Sequence, residues 1–257
     1  MKRLPRLMTV ALLGAAACCV NAAEIWNHDL PVMGMLRWNG FETGSTTVNV
    51  VKSNTPQVTY NGSGGQYSGY FYTDGEQSPD EFFRFFCIDL FQVAATGPFP
   101  YTASTYQHDA LARLYDIAYP NKASGDFFDG GQTDFGLFAT GVFSSAFQLA
   151  VWEIVYEDAA QFSLTGGTFR SKTAANGSGT DAQQAVAQAE LWLAAVNGGA
   201  GSAEGWTLLK FSNEHKQDYL SAIYREPLLT TASVPEPGTL ALFGIGVAAF
   251  GASRRRS

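Results

Sequence analysis

The chain has 257 residues, with 16 Lys and Arg against 23 Asp and Glu and a formal net charge of −7. Its basic residues are concentrated at the two ends, with Lys2, Arg3 and Arg6 at one and Arg254, Arg255 and Arg256 at the other, so the stretch between them is more acidic still. Such a surface repels phosphate backbones and argues against nucleic acid as a partner; 46% hydrophobic residues over this length suffice for a substantial core.

Residues 1–10 are basic and carry no acidic group, and residues 7–20 form an apolar run too short for an ordinary spanning helix. Small residues follow at Val20, Asn21, Ala22 and Ala23. The pattern reads as a secretory signal peptide over residues 1–23, which takes Cys18 and Cys19 with it. Cys87 is then the single cysteine of the exported body, residues 24–233.

The body opens with strand signals. "TTVNVV" (46–51), "QVTY" (57–60) and "QYSGYFY" (66–72) are rich in β-branched and aromatic residues, and "NGSGG" between the second and third reads as a hairpin loop. "EFFRFFCIDLF" (81–91) follows. As a strand it places Phe83, Phe85, Cys87 and Asp89 on one face and Phe82, Phe86, Ile88 and Leu90 on the other, so apolar bulk covers both faces and shields Cys87 from water.

Helical periodicity takes over in "HDALARLYDIAYP" (108–120), where Leu111, Leu114, Tyr115 and Ala118 recur on one side. "VFSSAFQLAVWEIVYEDA" (142–159) is apolar nearly all round and predicts a buried helix. "TDAQQAVAQAELWLAAVNGG" (180–199) begins on a capping residue, buries Val186, Ala189, Leu193 and Val196, and stops at Gly198-Gly199. "FFDGGQTDFG" and "SKTAANGSGT" read as surface loops, and "GWTLLKF" (205–211) as a last strand. Strands, then helices, then a strand predict a single α+β domain: a β-sandwich-like sheet region with an inserted or packed helical subdomain.

The far end, residues 234–257, reads "VPEPGTLALFGIGVAAFGASRRRS". Pro235, Glu236 and Pro237 precede a short apolar stretch, and three arginines close it. This order resembles the PEP-CTERM sorting signal. The resemblance implies a Gram-negative host, removal of the tail by an exosortase near the Pro-Glu-Pro motif, and delivery to the cell surface or exopolysaccharide matrix. Membrane contact is then confined to the tail before processing.

Two anomalies remain in the body. One is the unpaired Cys87 in a chain bound for an oxidising compartment, where a leftover cysteine signals an intermolecular bridge, a reactive group or a plain buried hydrophobe. The other is Gln148 in the middle of the apolar helix, flanked by Phe147, Leu149, Val151 and Trp152. A buried amide is costly unless it is hydrogen-bonded. It either pins the helix to a strand or meets the thiol and loses ammonia to give an internal thioester.

"FFCIDLF" is similar to the aromatic-Cys motif, and "FQLAVWEI" to the apolar-Gln-x-x-apolar-Trp motif, of bacterial thioester domains on surface adhesins; "ALARLYDIAYP" resembles the helix those domains place between the two. The resemblance spans roughly residues 82–196. It implies a Cys87–Gln148 thioester that an amine- or hydroxyl-bearing surface or matrix component, a protein lysine or a glycan, opens once per molecule, with Phe83, Phe85, Phe86 and Trp152 keeping water out. The role is binding without turnover and without a cofactor.

Other functional classes make their own demands on the residues. A non-covalent structural or polysaccharide-binding matrix protein needs Cys87 and Gln148 only to pack. A cysteine hydrolase needs His28, His108 or His215 beside Cys87, and no local signature supports any of them. Asp126, Asp129 and Asp134 depart from the spacing of a calcium-binding EF-hand loop, and Asp89, Glu153 and Glu157 single out no carboxylate pair for glycoside hydrolysis.

Overall fold

A computed structural model describes residues 30–41, 44–73, 81–95, 97–119, 140–158 and 160–224. The signal peptide, the sorting tail, His28 and the Asp126, Asp129 and Asp134 stretch lie outside the described residues.

The Phe-rich strand shows how the fold is organised. β5 (Glu81–Cys87) turns Phe83 and Phe85 to one side, against Phe211 at 5.0 Å and Tyr219 at 4.8 Å between ring centroids. It turns Phe86 to the other side, against Phe147 at 4.5 Å. The first side is the inside of a barrel and the second is covered by helices. Phe83, Phe85 and Phe86 are all buried, which is the two-faced burial that the aromatic run implies.

The barrel is closed, antiparallel and six-stranded, in the order β1 (Val32–Phe41), β4 (Tyr67–Tyr72), β5, β9 (Tyr219–Tyr224), β8 (Trp206–Ser212) and β6 (Phe99–Tyr106), with β6 returning to β1. A second sheet runs β3 (Val58–Gly64), β2 (Thr46–Lys52), β7 (Phe169–Ser171). Three helices complete the described architecture: α1 (Asp109–Ala118), α2 (Gly141–Tyr156) and α3 (Asp181–Asn197). α2 is buried on all sides from Ser144 to Ile154, between α3, the second sheet and β5. α3 starts on a full capping box, Thr180 with Gln183.

The expected sandwich with a helical subdomain is therefore corrected to a mostly β molecule, a closed barrel plus a three-stranded sheet with three short helices. The error has a local origin. β1 is read from "VMGMLRWNGF", β6 from "FPYTASTY" and β9 from "YLSAIY", none of which has the β-branched alternation that marks a strand. Without those three strands a sheet cannot close, and the strands that were legible look like an open layer.

"NGSGG" is corrected too. Its first four residues continue β3, pairing from Asn61 opposite Asn49 to Gly64 opposite Thr46. β3 and β4 belong to different sheets, so the glycines carry the chain from one sheet to the other. Gly69 on β4 serves a packing need: a Cβ there would lie 2.2 Å from the Arg37 carbonyl oxygen, next to the register shift between Trp38 and Gly40.

Candidate functional site

Cys87 is the last residue of β5 and lies opposite Tyr219 of β9. On its other side β4 begins at Tyr67, which pairs with Phe85, so no strand extends far enough to serve Cys87. The Gln148 carboxamide takes that place. It accepts the Cys87 backbone N–H at 2.9 Å and donates Nε2 to the Cys87 carbonyl at 2.7 Å. Both residues have no exposed surface. The structure thus brings together, across a sequence separation of 61, the thiol-bearing residue and the amide that sequence singled out.

The helix face carrying Gln148 is polar only where it is needed. Ser144, one turn earlier, accepts the Gln66 backbone N–H at 2.6 Å, while Ser145 accepts the Thr46 N–H at 2.8 Å and donates to the Gly64 carbonyl. Trp152, one turn later, packs edge-on to Tyr60 at 5.4 Å. Gly64 of β3 lies close above both: a Cβ there would sit 3.5 Å from Gln148 Cγ and 3.6 Å from the Trp152 ring. These serines fasten α2 to the main chain around the site, and the sequence reading passed over them. The signal was available, since two hydroxyls in an apolar helix at i−4 and i−3 from Gln148 pose the same burial problem as the amide.

The chain leaving Cys87 is held by its own side chains and by Gln217 of the β8–β9 turn and Tyr156 of α2. The Cys87 thiol donates to the Asp89 carbonyl at 2.9 Å, which also accepts Gln217 Nε2 at 2.7 Å. The Tyr156 hydroxyl donates to the Ile88 carbonyl and accepts the Leu90 N–H, each at 2.9 Å. Asp89 Oδ1 accepts the Phe91 N–H at 2.7 Å, so this carboxylate serves the local turn.

Burial pushes the Cys87 thiol far above its usual range. The Asp89 main chain and the Trp152 indole favour the charged sulfur and offset part of this, while the Asp89 and Asp218 carboxylates oppose it. The four aromatic residues expected around the site are all buried but do not form one pocket: Phe83 and Phe85 fill the barrel interior, whereas Phe86 and Trp152 lie on the helix side.

The two described histidines stand apart from the thiol. His108 is at the N-terminus of α1 beside Tyr106, where burial lowers its pKa, and His215 is exposed on the turn between β8 and β9. The remaining acidic candidates hold main-chain groups: Glu153 accepts the Ser163 N–H at 2.7 Å, and Glu157 accepts those of Asp158 and Phe169 at 3.0 and 3.1 Å. Among the described residues no group of three or more metal-ligating side chains comes together.

Comparison with curated proteins and with solved structures gives no match, and none of the comparisons supports a thioester domain. Residues 233–256 match the PEP-CTERM protein-sorting motif, which covers Pro235, Glu236, Pro237 and the terminal arginines. The chain is an exported protein with a C-terminal sorting tail that exosortase processes, bound for the surface or matrix.

Proposed function

We propose that the exported body captures a surface or matrix partner covalently through an internal thioester between Cys87 and Gln148. The observation that carries this reading is the pair of hydrogen bonds by which the Gln148 carboxamide is held on the main chain of Cys87, beside a free and buried thiol. For reaction the carboxamide leaves these bonds and brings its carbon to the sulfur of the same residue. The sulfur then bonds to the Gln148 carbonyl carbon, the C–N bond breaks, and the thiol proton leaves on nitrogen as ammonia. An incoming amine reverses the polarity of the site: its nitrogen bonds to the same carbon, the C–S bond breaks, and a proton returns to sulfur. A hydroxyl gives an ester by the same route. Each molecule acts once, so the chain is a binder and not an enzyme.

The intact mass of the folded, secreted protein tests this. A deficit of one ammonia is expected, absent in Cys87→Ala, together with a methylamine adduct on residue 148. An unmodified mass under non-nucleophilic handling would overturn the reading.

A second reading has its own observation. Both polar ends of the Gln148 amide are satisfied by Cys87, which accounts for a buried glutamine without any chemistry. In that case the protein is a non-covalent structural or polysaccharide-binding matrix component, and the unmodified mass is its expected result. A cysteine hydrolase is less well supported. It needs a thiolate paired with an imidazolium, whereas burial holds this thiol protonated and its hydrogen bond goes to a carbonyl.

A further inference from the structure

Trp152 Nε1 is a buried donor that makes no well-formed hydrogen bond, although the Cys87 sulfur lies within its influence. The side chain is 1% exposed, and the indole nitrogen has no hydrogen-bond partner among the described residues. Orphaned donors of this kind are rare in a folded interior and cost free energy. Trp152 stands one helical turn beyond Gln148 on α2, and its ring edge meets Gly64, the residue that also covers the Gln148 side chain. The ring is also one of the groups that act on the Cys87 sulfur, and it favours the charged form. A neutral thiol is a weak acceptor, and this one spends its proton on the Asp89 carbonyl. A sulfur carrying negative charge is a far better acceptor.

We propose that the Trp152 indole N–H is the hydrogen-bond donor that receives the charge developing on the Cys87 sulfur when the thioester is made and broken. The inference rests on the thioester reading and names a residue whose N–H acts on the reacting atom. The need for such a donor follows from the surroundings. Carboxylates at Asp89 and Asp218 and a dry, aromatic setting all resist a departing thiolate, and a preorganised N–H compensates in the transition state while leaving the resting state unsatisfied. In this reading a weak resting contact tightens into a full hydrogen bond only while the sulfur carries charge.

The test uses the secreted protein and Trp152→Phe, which keeps an aromatic ring and removes only the donor and one ring's bulk. Intact mass is recorded first. If wild type shows no ammonia deficit, the thioester reading fails and this inference falls with it. If both proteins show the deficit, the rate of methylamine adduct formation decides. Loss of the donor is expected to slow aminolysis by about 10- to 100-fold, the range for one hydrogen bond to a charged group. The slowing should be the same for larger primary amines. A purely structural role predicts the reverse sign, because loosened packing admits water and amines and speeds the opening. An equal or faster rate in Trp152→Phe would overturn the proposal while leaving the thioester intact.

If Trp152→Phe does not fold or does not form the bond, the wild-type indole resonances decide. The Trp152 N–H signal should move between the thioester and methylamine-opened forms by more than those of the other four tryptophans; a signal that stays in place would overturn the assignment.

Discussion

Replacing Glu153 by glutamine should remove most of the protein's loss of stability between mildly acidic and alkaline pH. Glu153 lies within α2, with no exposed surface. Its Oε1 accepts the Ser163 N–H at 2.7 Å, and Oε2 has no partner among the described residues. Burial pushes this carboxyl from 4.5 up to about 8; the Ser163 bond opposes the shift, and the Glu157 and Glu190 carboxylates add to it. Glu190 approaches from α3, where it accepts the Leu164 N–H, and Glu157 from the C-terminal end of α2.

The folded state therefore keeps a proton that the unfolded chain has already released. The associated stability is fully present below about pH 4.5 and drains away as pH rises toward 8. At about 1.4 kcal/mol per unit the gap sets an upper bound of about 5 kcal/mol, and relaxation of the loop at Ser163 brings the expectation to about 2–4 kcal/mol. Glutamine keeps the acceptor for Ser163 and stays neutral throughout. In urea denaturation at pH 5, 7 and 9, the two proteins should be similar at pH 5 and Glu153→Gln the more stable at pH 9. Parallel pH curves for the two would refute the assignment of this carboxyl as the titrating group.

Three further substitutions address the fold and the site. Gln148→Leu in a Cys87→Ala background, where the amide cannot be consumed, strands the residue 87 N–H and carbonyl and should cost about 2–5 kcal/mol by denaturant titration; a loss below about 1 kcal/mol would show that the amide does not pin the helix. Gly69→Ala forces a Cβ to within 2.2 Å of the Arg37 carbonyl, so a drop of more than about 2 kcal/mol is expected, read as a lower thermal midpoint. Thr180→Ala removes half of the capping box of α3 and should cost about 1 kcal/mol; no measurable change would mean that this end of the helix is held by its packing alone.

The legible parts of the fold were those in which one element buries itself by a regular pattern. α1, α2 and α3 fall on the predicted segments because a 3.6-residue apolar period, or its saturation in α2, leaves few alternatives. β2, β4, β5 and β8 were legible from β-branched and aromatic runs. Barrel closure was not, because it depends on β1, β6 and β9: Gly34 and Ser221 interrupt the inward residues of β1 and β9, and β6 carries a proline, Pro100, on its exposed face. Closure is a relation between distant strands: β1 meets β6 with Val32 opposite Ala103. A local reading sees composition and does not see pairing.

The site divides along the same line. Gln148 could be found because an amide among Phe147, Leu149, Val151 and Trp152 violates burial chemistry within a single helix. Its bonding to Cys87 could not be read, since it arises because β4 begins opposite Phe85, two residues before Cys87, and leaves the end of β5 unserved. The aromatic residues were expected to act as one enclosure, but alternation along β5 sends Phe83 and Phe85 into the barrel and Phe86 toward the helices. A thiol at that boundary is dry from two directions for two different reasons. Helix packing alone could be loosened by substitutions on α2 without opening the barrel. Water should therefore reach Cys87 first from the side of Gly64 and Trp152, where one sheet and one helix meet.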